Sequence, residues 1–173
     1  PERLRRFVAV QAPHPAVIRG TLRRDPTTLA RTSYAVAFQA PAVPEAVSRA
    51  FGWRLPRTIM QRTAMPGSFD ETDFRRYVAA WERPGVFTAM LNWYRANARS
   101  PPRLSEPAAV PTRIVWGGDD SFLPTRMAHD STEHADDVRT TLLPEATHWL
   151  HHDVPAKVTD AILAELGGAG TSW

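Results

Sequence analysis

Three histidines lie close together near the end of the chain, in the stretch PEATHWLHHDVP at residues 144–155. Three explanations are open for His148, His151 and His152: a metal site, a solvated loop, or one catalytic histidine with two bystanders. A metal site needs the side chains to converge, with an acidic or cysteine ligand at suitable spacing. The chain has no cysteine, and no acidic residue has that spacing. We therefore expect no metal ion and no other cofactor, and the other two explanations remain.

Two carboxylates occupy a related place one βα unit earlier. The stretch TRIVWGGDD predicts a short strand that ends in a Gly-Gly turn, Asp119 and Asp120, and the stretch VRTTLLPEATH predicts a strand that ends at His148. Sites in open α/β sheets form at the carboxyl ends of strands. A carboxylate beside an imidazole fixes its tautomer, so the histidine can act as a general base. A lone histidine after a strand is more often a surface or loop residue, so the hypothesis depends on the joint placement.

The elements that must position these residues change in character along the chain. A strand is predicted over residues 4–13 and a helix from Asp25 to about Phe38, with Tyr34 and Phe38 on one face. Further helices are predicted in EAVSRAF, GSFDETDFRRYVAAWERPG and VFTAMLNWYRANAR, the second with capping-box spacing between Ser68 and Glu71. A Pro-rich linker follows at 100–111, then strand, helix, strand and a last helix with Asp153 as candidate N-cap. This order predicts an α/β fold with parallel strands and a helical insertion.

Composition narrows the function classes. Hydrophobic residues make up 43% of the 173 residues, and the net charge is +3 with arginines spread along the chain among acidic residues. We expect no nucleic-acid partner, because no basic stripe is present. There is no apolar run of 18 residues, so we expect no membrane association either. The chain opens with no secretory signal, which favours a cytoplasmic location.

The whole chain resembles the C-terminal part of an α/β-hydrolase of the epoxide hydrolase family. The similar segments are PERLRRFVAVQAPHP, with its PHP turn, SYAVAFQAPAVPE and RPGVFTAMLNWYRA, which resemble cap helices, and VPTRIVWGGDDSFL and ATHWLHHDVP, which resemble the acid and histidine segments. The resemblance implies a core strand at 1–15, a helical cap at 16–106 and the C-terminal part of the core at 107–173. It also implies a small epoxide and water as the reactants.

Site residues follow from the same resemblance. Asp120 matches the triad acid, as the last residue of a GxxD pattern, with Asp119 as the competing choice. His148 matches the base, and Tyr34 and Tyr94 match two tyrosines that assist ring opening. Without the resemblance, both tyrosines would be interpreted as aromatic residues of a cap core.

The family's nucleophile has no counterpart in the sequence. No Gly-x-Asp/Ser-x-Gly pattern occurs, since GSFDE and GGDDS both lack the second glycine. We expect the chain to lack the nucleophile half and to be inactive alone, while the complete form hydrolyses epoxides to vicinal diols through an alkyl-enzyme ester. The alternatives are a haloalkanoate dehalogenase or ester hydrolase of the same fold, or a non-catalytic remnant that acts in binding or oligomerisation. A homodimer and pairing with a separate N-terminal half are both open.

Overall fold

The computed structural model describes residues 3–100 and 107–167. Its sheet has three parallel strands, β1 (Phe7–Val10), β2 (Thr112–Gly117) and β3 (Val138–Leu143), in the order β1-β2-β3. Parallel neighbours need long crossover connections, and both crossovers contain helices. The predicted α/β class with a parallel sheet is therefore confirmed.

Helices make up most of the rest of the described chain. The first crossover contains α1 (Pro15–Arg24), α2 (Pro26–Arg31), α3 (Tyr34–Ala37), α4 (Val43–Ala50), α5 (Arg54–Thr63), α6 (Glu71–Trp81) and α7 (Val86–Arg99). The second crossover contains α8 (Arg126–Ser131) and a 3-10 turn (Thr132–His134), and α9 (Leu150–Asp153) and α10 (Pro155–Gly167) follow β3. The predicted linker at 100–111 lies in part outside the described residues.

The sequence did not predict α1, because Pro13 and Pro15 were interpreted as a stop to the strand. Pro15 is instead the first residue of α1, and the side chain of His14 caps the helix by accepting a hydrogen bond from the amide of Ala16. Proline is tolerated at a first helical position because the amide there has no helical partner. Helix α5 was missed too, although its proline, Pro56, also lies in the first turn.

The helix predicted from Asp25 to Phe38 is two helices. Asp25 caps α2, as expected, by accepting a hydrogen bond from the amide of Thr27 at 2.9 Å. The first of the two ends where the hydroxyl of Thr32 donates to the carbonyl oxygen of Thr28 at 2.8 Å. Threonine side chains that bond the preceding turn compete with the helix ladder. The short helix α3 then starts at Tyr34.

Both faces of the sheet are covered by helices. Side chains of β2 alternate between the faces, so Ile114 and Trp116 join one buried cluster and Val115 joins another. The first cluster includes Val17 of α1 and Met127 of α8. The second cluster includes the last residue of β3, Leu143, and residues of the segment that follows it, namely Ala146, Leu150, Val158 and Ala161. The sheet is therefore held by segments from both ends of the sequence.

A separate apolar cluster joins the helices α5 to α7. Its buried members are Trp53, Met60, Phe74, Trp81, Phe87 and Leu91. We call the segment from α3 to α7 the lid. Helix α1 lies within the predicted cap at 16–106, yet its Val17 packs on the sheet. The division of the chain into core and cap stays a prediction.

The N-terminus of α6 is capped differently from the prediction. Asp70 and Asp73 form the capping box, with the amide of Asp73 donating to the Asp70 carboxylate at 2.8 Å and the amide of Asp70 donating to the Asp73 carboxylate at 3.2 Å. Short aspartates can make this reciprocal bond in place of the usual serine and glutamate. Ser68 is thereby free to bond elsewhere, and its hydroxyl donates to Asp153.

Within the described residues, none of the helices combines the length and the apolar character needed to cross a membrane.

A buried ion pair holds the two ends of the lid together. Arg95 of α7 and Glu45 of α4 are 7% and 5% exposed, and two guanidinium nitrogens lie 2.8 and 3.0 Å from the carboxylate oxygens. Arg95 also donates to the carbonyl oxygens of Phe38 and Ala40, which follow α3. Its pairing with Arg95 lowers the pKa of Glu45. Each of these buried charges has lost its hydration and is stabilised by the other. Removal of one partner therefore leaves an uncompensated charge in the interior.

We predict that Glu45→Gln lowers the free energy of unfolding far more than the matched change Glu71→Gln. Glu71 pairs with Arg57 on the surface, where its side chain is 68% exposed and the pair is screened by water. The loss at Glu45 should be roughly three times that at Glu71, or more. Urea unfolding followed by tryptophan fluorescence measures both. Equal losses would show that the Arg95 pair contributes no more than a surface pair.

Candidate active site

The carboxyl ends of β2 and β3 approach each other unusually closely. A Cβ atom on Gly117 would lie 2.3 Å from the carbonyl oxygen of Thr147, and one on Gly118 would lie 2.8 Å from the Cα of Pro144. Both contacts are with backbone, which cannot move aside as a side chain can. The Gly-Gly turn thus lets the segment before Asp120 pass beside the segment before His148.

Asp120 and His148 are brought into direct contact by this approach. Nδ1 of His148 lies 2.8 Å from Oδ2 of Asp120. The Asp120 side chain is completely removed from solvent, whereas that of His148 is 26% exposed. Since a carboxylate only accepts, Nδ1 donates and Nε2 is left as the acceptor of the neutral ring. The pair has the arrangement of an oriented general base.

Three further donors satisfy the buried carboxylate of Asp120. Its Oδ1 accepts from the amides of Phe122 at 2.6 Å and Leu123 at 3.0 Å, and its Oδ2 accepts from the side-chain amide of Gln11 at 2.5 Å. Burial by itself would raise the pKa of Asp120, but the hydrogen bonds from His148 and the two amides lower it overall. Asp120 is therefore held as the anion that orients the imidazole.

Gln11 is a site residue that the sequence did not reveal. It follows β1 with a φ of 49°, in the left-handed region, and its side chain is buried. Its Oε1 accepts from the amide of Gly117 at 2.6 Å while its Nε2 donates to Asp120. The side chain therefore links β1 to the acid loop. A glutamine after a predicted strand has no local pattern that distinguishes it from a surface residue, so no sequence signal was available.

The two predicted tyrosines meet at the edge of the lid nearest the pair. The rings of Tyr34 and Tyr94 are 6.1 Å apart, each about 5 Å from Phe38. Phe122 connects Tyr34 to His148, with its ring 5.5 Å from that of Tyr34 and 5.1 Å from that of His148. Both tyrosines are half-buried, which differs from the fully buried positions of the lid cluster.

The phenol of Tyr34 is kept protonated by its surroundings. Burial raises its pKa, and the neighbouring phenol of Tyr94 and the negative charge of Asp120 raise it further. A phenol with a raised pKa carries its proton throughout the neutral range. Tyr34 is accordingly able to donate a hydrogen bond, or a proton, to an oxygen that gains negative charge.

The competing residues lie elsewhere. Asp119 is exposed, and its backbone amide donates to the carbonyl oxygen of Ala146. His151 is exposed as well, with its ring 4.8 Å from that of His152. His152 pairs with the hydroxyl of Tyr77 at 2.8 Å. Among residues 3–100 and 107–167, no group of three metal-ligating side chains could hold a metal ion.

Asp153 was predicted to be the N-cap of the last helix, and this prediction is wrong. Asp153 is the last residue of α9, and its carboxylate accepts hydrogen bonds from Thr147 instead. The last helix begins with Pro155, which needs no partner for an amide that it lacks.

The described residues also line an open pocket of about 890 Å³ that does not include this pair. It lies between α1, α2 and the segment from Pro124 to His134, and its wall includes Arg24, Arg31 and Arg126. None of the predicted site residues lines it. Asp25 pairs with Arg126 there, so part of the charge on its wall is already compensated.

We predict that Asp120→Asn weakens the dependence of stability on pH in the acid range. Because the pKa of Asp120 is lower in the folded state, its stabilising effect is present above about pH 4 and is lost as the pH falls further. The variant should lose part of the slope below about pH 4. Asp119→Asn, a change at the exposed neighbour, is the control. Urea unfolding at several pH values measures the slopes, and identical slopes in both variants would contradict the assignment.

Comparisons with known proteins show which proteins this chain is similar to. The chain is 35% identical over 169 residues to the AB hydrolase superfamily protein YfhM of Bacillus subtilis, a match that covers 96% of this chain and 58% of that protein. It is 28% identical to Epoxide hydrolase 4 of Mus musculus over 96% of this chain and 48% of that protein. The chain thus spans about half the length of the curated relatives it matches.

Solved structures agree on the fold. The epoxide hydrolase of Bacillus megaterium in complex with an inhibitor superposes with a TM-score of 0.80 at 23% identity, over 96% of this chain and 62% of that chain. No protein-family model matches the chain. By its parallel sheet and these likenesses, the chain has the fold of the C-terminal part of an α/β-hydrolase, and its sequence is similar to an AB hydrolase superfamily protein and to epoxide hydrolases.

Proposed function

We propose that this chain supplies the base, the acid and the ring-opening tyrosines of an epoxide hydrolase. The observation that carries the proposal is the cluster of Tyr34 and Tyr94 at ring contact with each other, one phenylalanine away from an imidazole that is paired with a buried carboxylate. The names of the curated relatives support the same activity. A general hydrolase would need the imidazole and the carboxylate, but would have no use for two phenols.

The first step opens the epoxide ring. A carboxylate nucleophile attacks one ring carbon, the bond from that carbon to oxygen breaks, and an alkyl ester forms. The electron pair of the broken bond goes to the ring oxygen, which becomes an alkoxide. Tyr34 and Tyr94 donate hydrogen bonds to this oxygen, and one of them transfers its proton. The lid in this way stabilises charge that exists only after the ring has begun to open.

The second step releases the product. Nε2 of His148 removes a proton from water, and the resulting hydroxide attacks the ester carbonyl carbon. The bond from that carbon to the alkyl oxygen then breaks, and the diol leaves as an alkoxide. This alkoxide takes the proton of the newly formed carboxylic acid, which regenerates the nucleophile carboxylate. Asp120 keeps the ring in the tautomer that exposes Nε2 and stabilises the imidazolium. The imidazolium proton returns through solvent to the tyrosinate. The net reaction converts one epoxide and one water molecule to one vicinal diol.

The nucleophile itself is the part of the proposal that these 173 residues do not supply. Their sequence has no Gly-x-Asp/Ser-x-Gly pattern. We propose that an aspartate on a strand-to-helix turn outside residues 1–173 attacks the epoxide. The relatives are about twice as long as the matched region, which leaves room for such a segment. Activity is accordingly a property of the complete enzyme, and this chain by itself should not turn over epoxide.

We predict that the complete enzyme converts styrene oxide to its diol and that the double variant Tyr34→Phe/Tyr94→Phe lowers kcat by about 10²- to 10⁴-fold, the range for loss of a general acid. The third tyrosine of the chain provides the control. Tyr77→Phe removes a hydroxyl that bonds His152 and not the proposed oxygen site, so its kcat should stay close to that of the parent. Diol formation is followed by chromatography, and full activity in the double variant would overturn the roles of the tyrosines.

A second substrate class is tested in the same preparation. A haloalkanoate dehalogenase of this fold would release halide from haloacetate. We predict no halide release. The two phenols are suited to protonate the alkoxide of an opened epoxide, whereas a departing halide needs no proton from Tyr34 or Tyr94. Halide release from haloacetate without diol from styrene oxide would reverse the choice between the two reactions. An ion-selective electrode measures the halide.

A further inference from the structure

We propose that Asp153 is a positioning residue that fixes the loop of His148 and fastens the lid to it. One carboxylate joins the two parts: Oδ2 bonds the histidine loop, and Oδ1 bonds the segment between α5 and α6 of the lid. The placement of the base thereby depends on the docking of the lid. The inference builds on the proposed role of His148, and its experiment reads the loop directly, without a substrate.

The histidine side of the contact encloses His148 from both directions along the chain. Oδ2 of Asp153 accepts from the amide of Thr147 at 2.7 Å and from its hydroxyl at 2.6 Å. The same hydroxyl oxygen accepts from the amide of Trp149 at 3.2 Å. The residue before His148 therefore bonds Oδ2 directly, and the residue after it is connected to Oδ2 through the hydroxyl of Thr147. Only the direction of the imidazole remains to be set, and Asp120 sets it.

The lid side of the contact uses the other oxygen. Oδ1 of Asp153 accepts from the hydroxyl of Ser68 at 2.5 Å and from the amide of Met65 at 3.2 Å. The indole nitrogen of Trp149 adds a second link by donating to the hydroxyl of Thr63 at 2.8 Å. The two links join the end of α5 and the turn after it to the histidine loop.

Among residues 3–100 and 107–167, four groups donate to Asp153, and all of them are neutral. Burial by itself would raise the pKa of Asp153, but these hydrogen bonds lower it overall. An ionised carboxylate is the group that such a site needs, because both oxygens must accept. An asparagine has one accepting oxygen and one donating NH₂ group. An asparagine at this position can accept hydrogen bonds either from Thr147 or from the lid. Its NH₂ group then faces the donors of the other side, and no hydrogen bond forms there.

The experiment uses NMR on protein that carries ¹⁵N in its backbone amides and in its histidine rings. Two amides donate to Asp153, those of Met65 and Thr147, so hydrogen exchange reports each side separately. The low-field proton on Nδ1 of His148 reports the bond to Asp120. In Asp153→Asn we expect exchange at one or both amides to accelerate by about tenfold, the factor for one lost hydrogen bond, and the Nδ1 proton signal to weaken.

Matched variants separate positioning from general loss of stability. Asp160→Asn makes the same chemical change at an exposed position of α10 and should leave both readouts unchanged. Ser68→Ala removes only a lid contact. We expect it to accelerate exchange at Thr147, on the far side of the carboxylate, and acceleration confined to Met65 would overturn the coupling. If Asp153→Asn does not fold, Thr147→Val removes the hydroxyl that bonds Oδ2 and should weaken the Nδ1 signal.

An unchanged Nδ1 signal in both Asp153→Asn and Thr147→Val would overturn the positioning role. The complete enzyme adds a kinetic readout: in Asp153→Asn we expect kcat to fall while KM for styrene oxide stays within about twofold, since a misplaced base affects the chemical step and not uniform binding. A fall in kcat that is no larger than that of Asp160→Asn would also count against the role. If the parent enzyme shows no epoxide turnover at all, the proposed function fails while the exchange and proton signals still decide the inference.

Discussion

The buried carboxylate of Asp120 is the constraint on which the rest of the site depends. A charge that has lost its water must receive hydrogen bonds from the protein, and Asp120 receives them from β1, from its own loop and from the loop after β3. These contacts fix three chain segments relative to one atom group. The glycines at the end of β2 permit the close approach, and the left-handed turn at Gln11 delivers the third segment. The contacts that hold the edge of the sheet together are therefore the same contacts that position His148.

The lid and the sheet are joined mainly through aromatic rings and short polar contacts. Phe122 lies between the phenol of Tyr34 and the ring of His148, and the ring of Phe69 lies 5.7 Å from that of Trp149. Rings at these separations pack edge to face and bring some directional preference to an otherwise apolar contact. The proposed reaction needs such a combination, because a phenol must reach an oxygen from one side while the base approaches from the other.

The sequence carried much of the architecture and the central pair of the site. The predictions of β2, β3 and α7 depended on local pattern, and the structure has all three elements. The expectation that Asp119 or Asp120 lies beside His148 followed from topology, because neighbouring parallel strands end at the same edge. The choice of Asp120 came from the resemblance. The resemblance to known segments added Tyr34 and Tyr94, and the structure brings their rings together. Their chemical roles stay predictions.

What the sequence could not provide were contacts between distant side chains. Glu45 and Arg95 are separated by 50 positions, and either one alone has the pattern of a surface charge. The capping box of α6 was assigned to Ser68 and Glu71 because spacing alone cannot tell which of several polar residues faces the helix end. Gln11 and Asp153 have partners that are distant in the sequence, Asp120 for the first and Ser68 for the second. Their importance depends on burial, and local periodicity does not report burial of a single polar group.

The guanidinium of Arg95 has a further consequence for how this protein can vary. Because it bonds the carbonyl oxygens of Phe38 and Ala40 as well as Glu45, it ties the chain just after one phenol to the residue directly following the other, Tyr94. An insertion or deletion between Phe38 and Glu45 would break this bracket and shift one hydroxyl relative to its counterpart. Substitutions of side chains near the two phenols would leave this bracket intact, whereas a change in the length of this short connection would not.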